Sequence, residues 1–340
     1  MKILVYSHVF HPMVGGIETM SIVLAEEFQN LGHEVRVVTP VPSDASDNFS
    51  FSVIRDASTA SLCRQINWAD TILVNNVSAR VVALLIGFHR PFVVRHATWI
   101  RSPDGRLRWR DRIKQRLLRF GSGISNSNAM ASHIKSPSVV VENCYNDHVF
   151  SMGRSAPERD IVFAGRLVSD KGVDILLRAI HLLSHEGISA SLTIVGDGPE
   201  RASLENLSAE LGLTDHVQFL GRLLPSALAS TFRDHRIAAF PSIWDEPFGI
   251  VALEAAACGC FVIGSDGGGL SDAIGPCGVT FRNGDVEALA GTVRDALTKR
   301  WEACEACHAH LRAHTRVAVA TRYLEVLYAN RRKRATGGIG

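Results

Sequence analysis

Two glutamates stand eight residues apart in the stretch WDEPFGIVALEAAACGCFVIGSDGGG, residues 244–269. Between Glu246 and Glu254, Pro247 suits the first position of a helix, because its fixed φ and missing N–H are tolerated there. The small apolar run from Ile250 to Cys258 predicts the body of that helix. A short apolar strand then leads into three consecutive glycines. Helix N-termini bind anions through their free N–H groups, so this stretch predicts an anion site with carboxylates at its edge.

Two cations point to the same kind of ligand. Arg166 and Lys171 lie in GRLVSDKG, directly after an apolar run that predicts a strand and before a predicted helix. Positive side chains in such a position favour phosphate binding over a purely solvated role. The later turn VGDGPER superficially resembles a dinucleotide fingerprint, but Arg201 occupies the place of its third glycine, which argues against that type of site.

The first half of the chain offers weaker candidates. Gly15 and Gly16 precede a helix predicted from about Ile17 to Leu31. Their backbone N–H groups either face an anion or merely form the turn, and the sequence leaves both alternatives open. His96 ends the apolar strand PFVVRH, a position that favours a site residue over a core histidine.

These candidate residues must be positioned by the fold, which the sequence predicts to be a regular alternation of strands and helices. Short apolar runs alternate with amphipathic segments throughout, which predicts an α/β fold built on parallel sheets. A polar stretch with glycine and proline near residues 150–160 predicts a linker. We therefore expect two Rossmann-like domains, 1–152 and 153–315, facing each other across a cleft, with ligands at the carboxyl ends of the strands.

Bulk composition restricts the class of protein. The chain has 340 residues, of which 46% are hydrophobic and 21% are charged, with a formal net charge of +2. These values are typical of a globular protein and give no indication of nucleic-acid binding. No apolar run is long enough to span a bilayer. The N-terminus lacks the features of a signal peptide, so we expect a cytoplasmic chain.

Cysteine chemistry follows from that expectation. A cytoplasmic location predicts that the seven cysteines are reduced thiols. Cys304, Cys307 and His308 have the CxxCH spacing of haem attachment, and His310 adds a fourth candidate metal ligand. The alternative is that these residues lie along a late helix without binding a metal, and the helical character of TKRWEACEACHAHLRAH favours that alternative.

The segment RLRWRDRIKQRLLRF, residues 106–120, is strongly basic. Trp109, Ile113, Leu117 and Phe120 share one face of the helix that it predicts. One interpretation is a solvated helix packed on its own domain. The other is peripheral contact with an anionic membrane, with arginines reaching the headgroups. The sequence does not separate the two.

Successive motifs of this chain resemble glycosyltransferase family 4. They are FHPMVGGIETMSIVLAEEFQNLGHEVRVVTP, VFAGRLVSDKGVDILLRAI, IVGDGPE and EPFGIVALEAAACGCFVIGSDGGG, which together cover nearly the whole chain. The resemblance implies a GT-B fold and retaining transfer from a nucleotide-sugar donor. It also implies that a C-terminal helix, about 316–332, packs back onto the first domain.

Roles for individual residues come from this resemblance. Arg166 and Lys171 would hold the donor diphosphate, Glu246 would contact the transferred sugar, and Glu254 would bind the ribose. His96 would lie near the reacting sugar. The remaining cofactor-binding positions implied are Gly15, Gly16, Gly196, Gly198, Leu220, Gly221, Phe248, Gly249 and Ile250.

The same resemblance implies the rest of the reaction. The donor is a UDP-, GDP- or ADP-sugar, and the acceptor is a sugar, glycolipid, glycan or small molecule, as in bacterial surface polysaccharide or lipopolysaccharide synthesis. Cations and a helix N-terminus would stabilise the leaving diphosphate, so no metal or other cofactor is expected. Two alternatives remain at this point: a nucleotide-sugar epimerase of the same fold and a catalytically silent nucleotide-sugar-binding protein.

Overall fold

The structure is a computed structural model that describes residues 1–13, 15–43, 48–56, 58–100, 109–134, 136–153, 156–299 and 301–335. The chain divides into two compact units. Unit 1 comprises Met1–Asn143 and Arg316–Gly340, and unit 2 comprises Cys144–Thr315.

The division after Asn143 precedes the boundary that the sequence placed after residue 152. Its physical reason is the packing of two aromatic side chains within the intervening segment. Tyr145 and Phe150 are both buried in the core of unit 2. The ring of Phe150 lies 6.3 Å from that of Phe232. The polar character of the stretch from 150 to 160 obscured these contacts.

Unit 1 contains a seven-stranded sheet whose described strand pairs are all parallel. Its strands are β1 (Lys2–Ser7), β2 (Glu34–Val38), β3 (Ser52–Ile54), β4 (Thr71–Asn75), β5 (Phe92–His96), β6 (Ser122–Ser125) and β7 (Ser138–Val140). Helices α1 (Gly16–Asn30), α2 (Thr59–Trp68), α3 (Ala79–Gly87), α4 (Trp109–Leu117) and α5 (Asn128–His133) connect them. The strand order is β3-β2-β1-β4-β5-β6-β7.

Unit 2 contains a six-stranded parallel sheet in the order β10-β9-β8-β11-β12-β13. Its strands are β8 (Arg159–Ala164), β9 (Leu192–Val195), β10 (Val217–Gly221), β11 (His235–Phe240), β12 (Phe261–Ser265) and β13 (Gly278–Phe281). Its helices are α6 (Val173–His185), α7 (Arg201–Glu210), α8 (Pro225–Arg233), α9 (Ile250–Ala257), α10 (Leu270–Ile274), α11 (Val286–Thr298) and α12 (Glu305–Ala313).

Both sheets follow the strand order of a Rossmann fold, 3-2-1-4-5-6 when each unit is numbered from its own first strand. In unit 2 the order reverses between β8 and β11. Ligands of such sheets bind outside the carboxyl ends of the strands at this reversal. The α/β class and the two Rossmann-like domains predicted from the sequence are therefore confirmed.

Alternating side chains of the second sheet face two separate helix layers. Val162 and Ala238 belong to the apolar cluster formed with α8, α9, α10 and α12. Their chain neighbours Phe163 and Ala239 belong to the cluster formed with α6, α7 and α11. Burial on both faces requires the nearly continuous apolar runs that the sequence contains at these strands.

A last helix, α13 (Arg316–Ala335), belongs to unit 1. Arg316 at its start forms ion pairs with Glu26 (2.6 Å) and Glu27 (2.8 Å) of α1. Further along, the hydroxyl of Tyr323 accepts a hydrogen bond of 3.0 Å from Nε of Arg95, which is fully buried. These contacts fix the C-terminal helix on the first sheet.

Candidate functional site

The loop after β8 packs directly on the loop after β11. Gly172 has a φ of +66°, and a Cβ at this position would overlap the carbonyl oxygen of Pro241. The backbone N–H groups of Ile243 and Trp244 donate to the carbonyl of Asp170 at 2.9 and 3.2 Å. Only glycine permits both the left-handed backbone and the close approach. The two loops at the sheet reversal therefore form one edge.

At this edge Lys171 and Glu246 form an ion pair between Nζ and Oε1. The same carboxylate oxygen accepts a hydrogen bond of 2.9 Å from the hydroxyl of Ser242. The side chains of the pair are 19% and 16% exposed, so both charges are partly shielded but still accessible. Arg166, five residues before Lys171, is exposed.

The predicted glycine-rich loop lies against the backbone of Glu246. The N–H of Gly269 donates to the carbonyl of Glu246 at 2.6 Å, and Glu246 forms an isolated parallel bridge with Gly268. Gly268 has a φ of +68°, and a Cβ there would overlap Glu246. These glycines hold the backbone of the acidic residue in place.

Helix α9 begins at Ile250, three residues later than the sequence predicted. Gly249 is its N-cap, with a φ of +102° that is unfavourable for other residues. The helix cannot extend back to Pro247 because this left-handed residue interrupts it. Phe248 is buried, and its ring stacks on that of His314 at 6.1 Å and 23°. The first turn of α9, which carries free N–H groups, begins four residues after Glu246 in the chain.

Glu254 occupies the second turn of α9 and has an unusual carboxyl group. Burial raises its pKa to about 8 from an ordinary value of 4.5. Within the part of the chain that the structure describes, its carboxyl group contacts neither a cation nor a hydrogen-bond donor. Such a group is suited to a ligand that brings its own hydroxyl groups.

The turns after β9 and β10 lie alongside the loop after β8. The N–H of Leu167 donates to the carbonyl of Asp197 at 3.0 Å, and that of Gly196 donates to Gly221 at 2.8 Å. A Cβ on Gly196 would overlap the carbonyl oxygen of Gly165, and one on Gly198 would overlap that of Leu167. Leu220 is 37% exposed. The turns predicted to flank a nucleoside are thus adjacent to the loop that carries Lys171.

The structure therefore brings together most of the predicted donor-binding residues on unit 2. These are Arg166, Lys171, Gly196, Gly198, Leu220, Gly221, Glu246, Phe248, Gly249, Ile250 and Glu254, which lie at the carboxyl end of a strand of the second sheet or in the loop or the first two turns of the helix that follows one. The other three predicted residues, Gly15, Gly16 and His96, lie in unit 1.

Gly15 is the N-cap of α1 and has extended backbone, and Gly16 is the first helical residue. A Cβ on Gly15 would lie 2.6 Å from Oε2 of Glu18, whose side chain is buried. A carboxylate of the chain thus lies close to this helix start. Phosphate contact by the two glycines stays a prediction.

His96 ends β5, as predicted, but its side chain is only 1% exposed. Burial and the neighbouring Arg95 guanidinium lower its pKa to about 4. The imidazole is therefore neutral at pH 7. Such low exposure is typical of a core histidine, the alternative that the sequence favoured less. Contact of His96 with a reacting sugar stays a prediction.

Comparison with known protein families shows what the segment that carries this site is similar to. Residues 146–313, which include the Lys171–Glu246 pair and Glu254, match the family described as Glycosyl transferases group 1. The match covers 168 of the 340 residues, just under half of the chain, so it is a likeness of this segment to that family. An uncharacterized glycosyltransferase of Methanocaldococcus jannaschii is 40% identical over 124 residues, which is 36% of this chain and 31% of that protein.

A second relative of this segment has a more specific name. The D-inositol 3-phosphate glycosyltransferase of Rhodococcus erythropolis is 36% identical over 159 residues, covering 44% of this chain and 33% of that protein. The matched segments thus span about a third of each relative's length.

Solved glycosyltransferase structures extend the likeness to the whole chain. An Anabaena protein solved in complex with UDP has a TM-score of 0.79 and 20% sequence identity over 97% of this chain and 100% of that one. At this level of identity the likeness establishes the fold, which is GT-B.

Three residues of unit 2 that shape this edge were not predicted from the sequence. Ser242 holds Glu246 and follows β11 in the motif AFPS, where a hydroxyl after a strand end was a usable signal. Asp170 and His314 act through a backbone carbonyl and a buried ring, respectively, and neither leaves a sequence pattern.

One expectation about cysteine is wrong. Cys277 and Cys307 are joined by a disulfide, with Cα atoms 4.9 Å apart, so the chain does not contain seven reduced thiols. Because Cys307 is bonded to Cys277, the CxxCH motif cannot supply its second cysteine to haem or zinc. The structure instead places Cys307, His308 and His310 on α12, the late helix that was the alternative.

The basic segment 106–120 forms α4 and the short turn that follows it, and residues 106–108 lie outside the described part of the chain. Trp109, Ile113 and Phe120 are 67%, 41% and 58% exposed. Leu117, on the predicted apolar face, is partly buried. Among the described residues, no helix combines the length and apolar character needed to cross a bilayer.

Proposed function

We propose that this protein is a glycosyltransferase that binds a nucleotide-sugar donor on unit 2 and transfers the sugar to an acceptor hydroxyl. The observation that carries the proposal is the Lys171–Glu246 pair at the sheet reversal, bordered by the start of α9. A cation, a carboxylate and free backbone N–H groups are the set that a sugar diphosphate requires.

Charge exchange is how a donor would enter the site. Without ligand, Glu246 neutralises Lys171 and keeps it in position. A donor diphosphate would take over Lys171, joined by the exposed Arg166 and the N–H groups at Ile250. Glu246, still held by Ser242, would then accept hydroxyl groups of the sugar. In this exchange the donor diphosphate would replace Glu246 as the anionic partner of Lys171.

Departure of the diphosphate is the step that these residues accelerate. Negative charge develops on the leaving β-phosphate, where Lys171, Arg166 and the start of α9 supply positive charge. A single preorganised donor of this kind lowers a barrier by about 3–4 kcal/mol. We propose that the reaction needs no metal or other cofactor, because these groups supply the neutralising charge.

Stereochemical retention is part of the proposal and rests on the resemblance to family 4. A double displacement would need a carboxylate nucleophile. We assign Glu246 to sugar binding instead, with its Oε1 held by Lys171 and Ser242. We therefore propose same-face displacement, with the departing phosphate taking the acceptor proton. A hexose is the proposed sugar.

The nucleoside would lie along the turns after β9 and β10. Glu254 would bind the ribose hydroxyls, and Gly196, Gly198, Leu220 and Gly221 would flank the base. UDP is the first candidate, because the Anabaena protein of the same fold was solved with it. GDP- and ADP-sugars are the alternatives to be tested beside it.

The acceptor is proposed to be a glycan or glycolipid of a bacterial surface polysaccharide or lipopolysaccharide. The name of the Rhodococcus relative makes a phosphorylated cyclitol the second candidate. A panel that contains lipid-linked sugars, oligosaccharides and inositol phosphate separates the two classes by which of them accepts label from the donor.

Peripheral membrane contact on the cytoplasmic side is a separate part of the proposal. Trp109 and Ile113 lie one turn apart on α4 and are exposed, and Arg112 and Arg116 are exposed on the same helix. Exposed aromatic and basic side chains on one short helix suit an anionic lipid surface.

Liposome co-sedimentation tests this contact. We expect binding to vesicles containing phosphatidylglycerol, little binding to pure phosphatidylcholine, and loss of binding in Trp109→Glu. Leu224→Glu, at the N-cap of α8, where the apolar residue is 77% exposed, is the matched control and should bind like the wild type. Equal sedimentation of all three proteins would remove the membrane proposal.

A thermal-shift screen with UDP-, GDP- and ADP-glucose tests the central part of the proposal. A ligand at 100 times its Kd adds about 2.7 kcal/mol to the free energy of unfolding. We expect one nucleotide class to raise the Tm clearly above the other two. No shift with any nucleotide sugar would contradict donor binding.

Product analysis then separates the three functional classes. A transferase moves the sugar to an acceptor, whereas an epimerase converts the donor without any acceptor. A silent binding protein leaves the bound donor unchanged with every acceptor. The Arg166, Lys171 and Glu246 arrangement favours the first outcome.

A further inference from the structure

Helix α6 carries two histidines one turn apart, His181 and His185. Their Nε2 atoms lie 3.1 Å from each other, and the two ring centroids are 4.4 Å apart with planes at 88°. Residues four apart occupy the same face of a helix, which brings the rings together. Neither residue belongs to the donor site.

A backbone carbonyl fixes the protonation pattern of the first ring. Nδ1 of His181 lies 2.9 Å from the carbonyl oxygen of Leu211, the residue that caps α7. A carbonyl can only accept, so in the neutral ring Nδ1 carries the proton and Nε2 keeps its lone pair. Metal-binding histidines show this same second contact to a backbone carbonyl or carboxylate, which orients the ring and fixes its tautomer.

The distance between the two Nε2 atoms suits a shared ion. Imidazole nitrogens bind zinc at about 2.0–2.1 Å, so two of them on one tetrahedral or octahedral ion are about 2.9–3.4 Å apart. The observed 3.1 Å falls within this range. The competing explanation is a hydrogen bond from Nε2–H of His185 to Nε2 of His181.

Ring orientation separates these two explanations in part. In a straight N–H···N bond both ring axes point along the line between the nitrogens, and the centroids would be about 5.4 Å apart. The observed separation is 4.4 Å, so the ring axes are inclined to that line. This inclination argues against a straight hydrogen bond between the two rings.

We propose that His181 and His185 bind one divalent transition-metal ion of the class that prefers imidazole, namely Cu²⁺, Ni²⁺ or Zn²⁺. Among the described residues there is no group of three or more histidine, cysteine or acidic side chains that could hold a metal, so water completes the coordination. Mg²⁺ and Ca²⁺ prefer oxygen ligands and are excluded. The proposal does not depend on the function proposed above.

The ion would join two helices of unit 2. His181 is already tied to the end of α7 through Leu211, and both histidines lie in the last two turns of α6. Lys171 precedes the other end of α6, which at 1.5 Å per residue is about 20 Å away. Metal binding should therefore stabilise the α6–α7 pair without contacting the donor loops.

Isothermal titration of the untagged full chain with CuCl₂, NiCl₂, ZnCl₂ and MgCl₂ tests the proposal. We expect one equivalent of Cu²⁺, Ni²⁺ or Zn²⁺ to bind, with no heat from Mg²⁺. His185→Gln keeps an N–H donor toward His181 but cannot chelate, so its Kd should rise at least tenfold. His216→Gln removes an exposed histidine elsewhere on unit 2 and should bind like the wild type.

Electron paramagnetic resonance of the Cu²⁺ complex adds an independent readout. The wild-type spectrum should contain coupling from two nitrogens, and the His185→Gln spectrum should lose it. The Tm of metal-free His185→Gln, compared with that of the wild type, shows that the variant is folded. Unchanged binding in His185→Gln, or no binding to the wild type by any of the three transition metals, would overturn the proposal.

Discussion

Lys171 and Glu246 form an ion pair that joins the loop after β8 to the loop after β11. The two residues are 75 positions apart in the chain and meet because the strand order of the sheet reverses between these strands. Ser242 and Gly269 hold the acidic partner through its side chain and its backbone. The pair is therefore built by the fold rather than by local sequence.

Removal of the cation should weaken nucleotide binding. Hydrogen bonds to charged groups contribute about 1.5–3 kcal/mol, so Lys171→Ala should raise the Kd for UDP by about 10- to 100-fold. Isothermal titration measures this directly. Lys299→Ala, which removes a lysine whose side chain is 76% exposed, is the matched control and should not change the Kd. Equal Kd values for the two variants would show that Lys171 does not bind the nucleotide.

The carboxyl group of Glu254 should make stability depend on pH. Its pKa is about 8 in the folded chain and 4.5 ordinarily, so between these values the folded state holds a proton that the unfolded state has lost. The free energy of unfolding therefore falls as the pH rises through this window, by at most about 1.4 kcal/mol per pH unit.

Glu254→Gln should abolish this dependence. Its Tm should exceed that of the wild type by more at pH 8.5 than at pH 5, measured by thermal unfolding at both values. The same variant should bind UDP more weakly, because an amide replaces the carboxyl group proposed to bind the ribose hydroxyls. Parallel pH profiles of the two proteins would show that Glu254 is not the buried acid described here.

Gly196 should tolerate substitution poorly. A Cβ at this position would overlap the carbonyl of Gly165, and its φ is +138°. We expect Gly196→Ala to lower the free energy of unfolding by more than about 2 kcal/mol. Gly187→Ala is the matched control, because Gly187 also has a positive φ of +79° but no atom within 4 Å of the added Cβ.

In Gly187→Ala only the left-handed backbone is unfavourable, so a loss of about 1–2 kcal/mol is expected. Chemical denaturation of both variants provides the comparison. If the two glycines give the same loss, the turn after β9 does not pack on the loop after β8 as closely as described.

The disulfide between Cys277 and Cys307 should be detectable by thiol counting. The structure leaves five free cysteines, so five thiols should react in the denatured, unreduced chain. A bond that closes about 30 residues stabilises by roughly 3–4 kcal/mol in the chain-entropy description. A dithiol reductant should therefore lower the Tm of the wild type but not that of a Cys277→Ala, Cys307→Ala variant. Seven reactive thiols would contradict the bond.

Much of the fold could be predicted because local patterns coincide with it. Apolar runs marked the strands of both sheets, and glycines such as Gly32 and Gly259 marked helix ends. The start of α9 could not be placed from Pro247, because Gly249 has a left-handed φ and lies so close to Leu270 that a Cβ would overlap it, and neither property is visible in the sequence. Local sequence propensity predicts that a helix is present, whereas tertiary contacts determine the residue at which the helix begins.

The candidate site was predictable where residue type alone indicates chemistry. Charged residues after strand ends identified Lys171 and Glu246. The hydroxyl of Ser242 and the ring of His314 act through contacts that only the folded chain creates. The Cys277–Cys307 bond was missed for the same reason. The CxxCH motif suggested that Cys307 acts with Cys304 and His308, its neighbours in sequence, whereas its partner is distant in the chain.

Sugar transfer by the Glu246→Gln variant tests the account most directly. The substitution keeps the size of the side chain and its contact with Ser242 but removes the charge that positions Lys171 and binds the sugar. With the UDP-sugar and acceptor found in the screens, we expect turnover to fall by about 100-fold or more, as for loss of one preorganised group, while Lys299→Ala transfers normally. Turnover of Glu246→Gln within twofold of the wild type would contradict the assignment of this site.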